Sequence, residues 1–170
     1  MGYRGENLAR SARALTPTVL GFLGVIILSL PLRLFEGTAP TPILPLLVVF
    51  FWSIYGAEYL PSVSVFLIGL LQDFLGGGPL GLWAGVYLLT QFIMMHQRSY
   101  FLGREQRVVW IGFALACAIA GLIVWLVMSL MNGALLPLGH FLFQLAVTVA
   151  IYPAFASGFG RLHRRVIVER

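Results

Sequence analysis

Residues 72–81 read QDFLGGGPLG: Gln72, Asp73, Phe74 and Leu75, then Gly76, Gly77 and Gly78 in a row, then Pro79, Leu80 and Gly81. A carboxylate, three glycines and a proline thus stand between two of the most apolar runs of the chain. The stretch is either a working site or a turn. The choice decides whether its flanks are two antiparallel helices or the arms of an active loop. Glycine frees the backbone for φ values that other residues avoid, and proline suits the first turn of a helix. On that basis the stretch reads as a turn: Asp73 ends one helix, the glycines release the chain and Pro79 opens the next helix. The Asp73 carboxylate then caps backbone N–H groups of the turn or of the following helix. A polar contact between Asp73 and a partner or ligand is the competing reading.

Outward from this turn the composition sets the class. Of 170 residues, 59% are apolar and 10% charged, against roughly 25% charged in soluble domains. With a mean hydropathy of +0.92, the expectation is an integral membrane protein. The formal charge is +5, and all eleven basic side chains are arginine. No basic patch interleaved with aromatics lies on a soluble domain, so the arginines read as topogenic flanks rather than a nucleic-acid surface. Cys117 is single and lies in an apolar run, which excludes a disulfide framework.

About 20 apolar residues are needed to cross about 30 Å of hydrocarbon. Runs at 17–35, 108–131 and 135–159 meet that length, while 43–57, 60–75 and 80–95 are marginal. The expected fold is all-α, one domain of six transmembrane helices over residues 1–170 with both termini cytoplasmic. In that topology Arg4, Arg10, Arg13, Arg98, Arg104, Arg107, Arg161, Arg164, Arg165 and Arg170 lie inside, and only Arg33 lies outside. A re-entrant hairpin over 60–95 would leave four crossings with the same parity. The first run is long for a signal peptide and reads as a retained anchor.

The residues hold little that resembles catalysis. Glu58 and Asp73 sit at opposite ends of one short run, about 22 Å apart on a helix, too far to share a substrate. His96, His140 and His163 fall at different flanks and do not converge on a metal. No cofactor or metal is expected. The run 17–35 holds only Arg33, near its outer end, and 108–131 holds no charged residue, which argues against coupled transport. Packing chemistry is better represented. Gly112, Ala116 and Ala120 recur every four residues as a smooth helix face, and Gly81 with Gly85 forms a GxxxG. Pro153 is expected to kink the last helix, Trp110 to anchor at the interface, and Trp52 and Trp125 to pack or face lipid. The polar surfaces open to a cytoplasmic partner are the loop carrying Arg98, Arg104 and Arg107 and the tail carrying Arg161, Arg164 and Arg165.

The motif carrying Gly69, Asp73, Gly77, Pro79, Leu80 and Gly81, with the run from Trp52 to Tyr55 before it and Tyr152-Pro153 near the end, resembles the rod shape-determining protein MreD family. Gly76-Gly77 stands where many members have Ser-Gly, and Trp83 stands where many have His. The resemblance implies a non-enzymatic scaffold of the bacterial elongation machinery in the cytoplasmic membrane. Such proteins act with MreC, RodA, a class B penicillin-binding protein and MreB in side-wall peptidoglycan synthesis. It also implies a fold similar to the substrate-binding membrane subunit of energy-coupling-factor transporters. The alternative is a vitamin-like small-molecule binding or transport module on that fold. Such subunits dock through an AxxxA in the first span, a spacing that Ala9, Ala12 and Ala14 do not give.

Overall fold

A computed structural model describes residues 3–29 and 42–167, with side chains described for 16–29, 42–139 and 141–158. Six helices follow one another: α1 (Tyr3–Ser29), α2 (Leu44–Tyr55), α3 (Ser62–Gly76), α4 (Leu82–Phe101), α5 (Gln106–Asn132) and α6 (Leu138–Ile167). A short 3-10 turn at Ala57–Tyr59 joins α2 to α3, and no strand occurs among the described residues. The described part of the chain is all-helical.

The centre is α2. Its sequence, LPLLVVFFWSIY, is apolar on every side, and a helix of that kind is stable only when neighbours surround it. Every residue from Pro45 to Ile54 is buried. The Phe50 ring meets the edges of Phe101 from α4, Phe113 from α5 and Tyr152 from α6, at centroid distances of 6.3, 5.0 and 5.7 Å. Small residues bring α1 in: a Cβ at Gly24 would stand 3.3 Å from Leu44 Cβ and from the Pro45 nitrogen. The hydroxyls of Ser53, Thr90 and Thr148 each donate to the carbonyl four residues earlier, so these buried polar groups are satisfied within their own helices. Thr148 also accepts the Ile43 N–H at 3.0 Å, satisfying a donor at the start of α2.

Several boundaries differ from the sequence reading. Helix α1 starts at Tyr3, which puts Pro17 inside it, while residues 30–35 of the first expected span and Arg33 lie outside the described residues. Helix α4 runs past 95 to Phe101 because its last turn has tertiary partners. The buried Phe101 ring fills the space over Gly112, where an added Cβ would lie 2.6 Å from it. Arg98, one turn earlier, donates from Nε to the Ile54 carbonyl at 2.8 Å.

Among the described residues two helices are long and apolar enough to cross a membrane: α5, with mean hydropathy 2.6, and Phe141–Gly158 within α6, with 1.5. The apolar helices α2 and α3 are about 18 and 22 Å long, shorter than the hydrocarbon core of a bilayer.

Candidate functional site

The QDFLGGGPLG stretch closes α3 onto α4. Gly69 and Asp73 are four residues apart and share one face of α3. A Cβ at Gly69 would lie 2.4 Å from Ala84 Cα and 2.5 Å from Ala84 N, so the missing side chain lets the start of α4 rest on the α3 backbone. Asp73 lies one turn further along that face. Its Oδ2 accepts the Gly81 N–H at 2.8 Å and the Ala84 N–H at 3.4 Å, and its Oδ1 accepts the Trp83 N–H at 2.9 Å.

The first N–H groups of a helix have no acceptor inside it, and the helix dipole favours negative charge there. A carboxylate supplied by the preceding helix meets both needs at once. Hydrogen bonds to charged groups contribute about 1.5–3 kcal/mol each, which offsets the cost of burying Asp73 at 1% exposure. The neighbouring Gln72 extends the junction, its Oε1 accepting the hydroxyl of fully buried Tyr87.

The turn uses its glycines unequally. Gly77 ends α3 in the left-handed region (φ 65, ψ 17) and Gly81 precedes α4 at φ 94, ψ −7. The Leu82 N–H bonds to the Pro79 carbonyl at 3.2 Å, which puts Gly81 at the third position of a turn whose φ and ψ there are those of type II. Gly76 and Gly78 have neither a positive φ nor a close neighbour. Pro79 lies in the turn and not in the first turn of α4, because the helix begins at Leu82. Leu80 is 70% exposed at the tip.

Beside the junction is a cavity of about 410 Å³, lined by Gln72, Pro79 and Trp83 and closed by Val124, Met128 and Gln144 from α5 and α6. Asp73 lines this cavity as well, with both of its oxygens engaged by backbone N–H groups of the turn and of α4. Among the described residues no group of three or more His, Cys, Asp or Glu side chains could hold a metal ion. No protein-family model, curated protein or solved structure matches the chain.

The other residues singled out from sequence are dispersed. Gly81 precedes α4, so Gly81 and Gly85 do not form a helix face, and Gly85 has open space in front of it. The Gly112, Ala116 and Ala120 face is turned toward α4 of the same chain: Gly112 is covered by Phe101, and Ala116 and Ala120 line the α4–α5 groove. Arg98 is not a loop residue but a half-buried residue of α4, placed at the carbonyl end of α2 and 3.7 Å from Glu58. A cation suits that end of a helix. Arg104 and Arg107 are exposed at the α4–α5 connection, while the side chains of Arg161, Arg164, Arg165, His140 and His163 lie outside the described residues.

Pro153 stands inside α6, which continues through it. Having no N–H, it leaves the carbonyl of Val149 without a helical donor. The Trp110 indole N–H supplies one at 2.8 Å. Trp110 therefore serves the helix packing, a role that sequence reasoning missed although Pro153 itself announces an orphaned carbonyl four residues earlier. Trp125 similarly donates to the Leu136 carbonyl at 3.1 Å, and Trp52 is fully buried.

Proposed function

We propose that the chain is a six-span protein of the bacterial cytoplasmic membrane and a non-enzymatic scaffold of the elongation machinery, binding MreC and through it RodA, a class B penicillin-binding protein and MreB. The observation that carries the membrane reading is the exposure of its most apolar helices. In the most apolar 18-residue windows of α5 and α6, only 33% and 17% of residues are buried. Water would penalise such surfaces at about 25 cal/mol per Å², whereas lipid would not. Charge follows the same plan. Arg98, Arg104 and Arg107 lie where α4 ends and α5 begins, at the end opposite the Asp73 turn, and the positive-inside rule would put that end in the cytoplasm.

The scaffold reading rests on the resemblance of the hairpin motif, together with a junction built for rigidity and not for chemistry. A shallow groove of about 430 Å³ between α5 and α6, floored by Ala114, Ala118, Ala146 and Ala150, offers a partner helix close approach. Depletion should round rod-shaped cells, and the tagged protein should co-isolate with MreC. Leucine at Ala118 and Ala146 should reduce that recovery at unchanged protein level. Normal shape with no co-isolation would refute the scaffold.

The cavity beside the hairpin favours one second reading, a vitamin-like small-molecule binder, because about 410 Å³ lies within the usual range of ligand pockets. Saturable binding of such a ligand to the purified protein, weakened by Trp83→Ala, would favour it over the scaffold.

A further inference from the structure

Helices α4 and α5 touch at their connected ends and leave a groove above that contact. Phe101 against Gly112 closes its lower end. Val86, Thr90 and Met94 form one wall, Ala116 and Ala120 the other, and the groove encloses about 280 Å³. It continues past Leu89 and Ile123 into a shallower space of about 220 Å³ beside Gly85. The walls make no polar demand, since Thr90 donates to the Val86 carbonyl of its own helix at 2.8 Å. From Gly112 to Ile123 the helix rises about 16 Å, so the groove is long and narrow and runs along one face of α5.

The chemistry changes at the closed end. Gln97 and Tyr100 line the groove there. The Arg104 guanidinium stands 5.0 Å over the Tyr100 ring, and Arg107 follows in the first turn of α5, with Glu105 the one acidic side chain between them. A long apolar groove that ends beside an exposed cation has the two-part chemistry of an anionic lipid. We propose that the α4–α5 groove binds a phospholipid of the inner leaflet, its acyl chain along Ala116 and Ala120 and its phosphate at Arg104 with Gln97 and the Tyr100 hydroxyl. The site rests on the six-span reading, which puts the Arg104 end at the cytoplasmic face.

Native mass spectrometry of the detergent-purified protein, supplied with phosphatidylglycerol and phosphatidylcholine of identical chains, tests the site. Phosphatidylglycerol should be retained preferentially. Arg104→Gln should lower that preference about fivefold, the effect of one cation near a lipid phosphate. Ala116→Phe fills the floor and should remove both lipids. Because that position is buried, the double variant Leu115→Trp with Ile119→Trp repeats the test from the rim, where the two residues are 62% and 39% exposed. Equal retention of the two lipids by the unaltered protein, or undiminished phosphatidylglycerol on both groove variants, would overturn the site. Alkaline carbonate extraction of cell membranes separates the two claims. Protein that stays in the pellet keeps the membrane reading whatever the lipid result, and protein released to the supernatant refutes both.

Discussion

The α3–α4 and α5–α6 hairpins are halted in the same way and held together differently. Each first helix ends on a left-handed glycine, Gly77 at φ 65 and Gly133 at φ 64. In α3–α4, a glycine lies on the partner's backbone and a buried carboxylate takes the N–H of Gly81 and two N–H groups of the partner's first turn. In α5–α6, the corresponding close approach, Gly121, meets side chains only: the flexible end of Leu145, and the edge of the Phe141 ring 3.2 Å from where a Cβ would stand. Its tip is tied by neutral bonds, Trp125 to the Leu136 carbonyl and the Leu136 N–H to Ser129 Oγ at 3.3 Å. A backbone contact and a charged acceptor admit one geometry, while a rotatable leucine and single neutral bonds admit several. The first hairpin is therefore the fixed half of the molecule, and the second the half able to adapt to a neighbour.

The sharpest break of this contrast is a methyl group. Gly69→Ala should destabilise by about 3 kcal/mol or more, because backbone must move, whereas Gly121→Ala should cost about 1 kcal/mol, because only the Leu145 tip and the edge of the Phe141 ring must shift. Thermal unfolding of the two variants in detergent compares them, and equal losses would show that the first hairpin is no more rigid than the second. Next is the carboxylate. Asp73→Ala strands the N–H groups of Gly81 and Trp83 and should cost about 3 kcal/mol, with Asp73→Asn between it and the native protein. Ser129→Ala, at the equivalent end of α5, should cost about 1 kcal/mol.

The shared feature should respond alike in both halves. Gly77→Ala and Gly133→Ala should each cost about 1 kcal/mol for a left-handed alanine, while Gly76→Ala, inside α3 with open space around it, should cost nothing. The smallest effect sharpens the role of Trp110. Trp110→Phe should lose about 1 kcal/mol by stranding the Val149 carbonyl, and the added change Pro153→Ala should recover it by restoring a helical donor. Protease resistance in detergent would register both shifts.

What the sequence disclosed follows the range of each interaction. The QDFLGGGPLG turn and the capping by Asp73 were legible because donors and acceptor lie 8 to 11 residues apart and the residue types name their roles. Gly69 belongs to the same motif, but its task as the contact point with Ala84 emerges only when α4 is laid against α3. Arg98 was read as a loop charge because its acceptor, Ile54, is 44 residues away, and nothing local marks that carbonyl as open. The end of α4 was misplaced for the same reason: Phe101 extends the helix by filling a gap over Gly112 on the next one. The small face of Gly112, Ala116 and Ala120 was seen, but periodicity does not tell which neighbour a face addresses, and here it is the chain's own α4.

The order of the Asp73 bonds also bears on how the chain is made. Synthesis delivers the carboxylate before its donors, which arrive only with residues 81–84. Until then α3 presents an unpaired acid on a helix about 22 Å long, a poor candidate for entering a bilayer by itself. If the chain has the proposed six-span topology, the unit of insertion would be the pair. The translocon would have to hold α3 until α4 emerges, and a ribosome paused before Gly81 would leave a nascent chain that the lipid has little reason to accept.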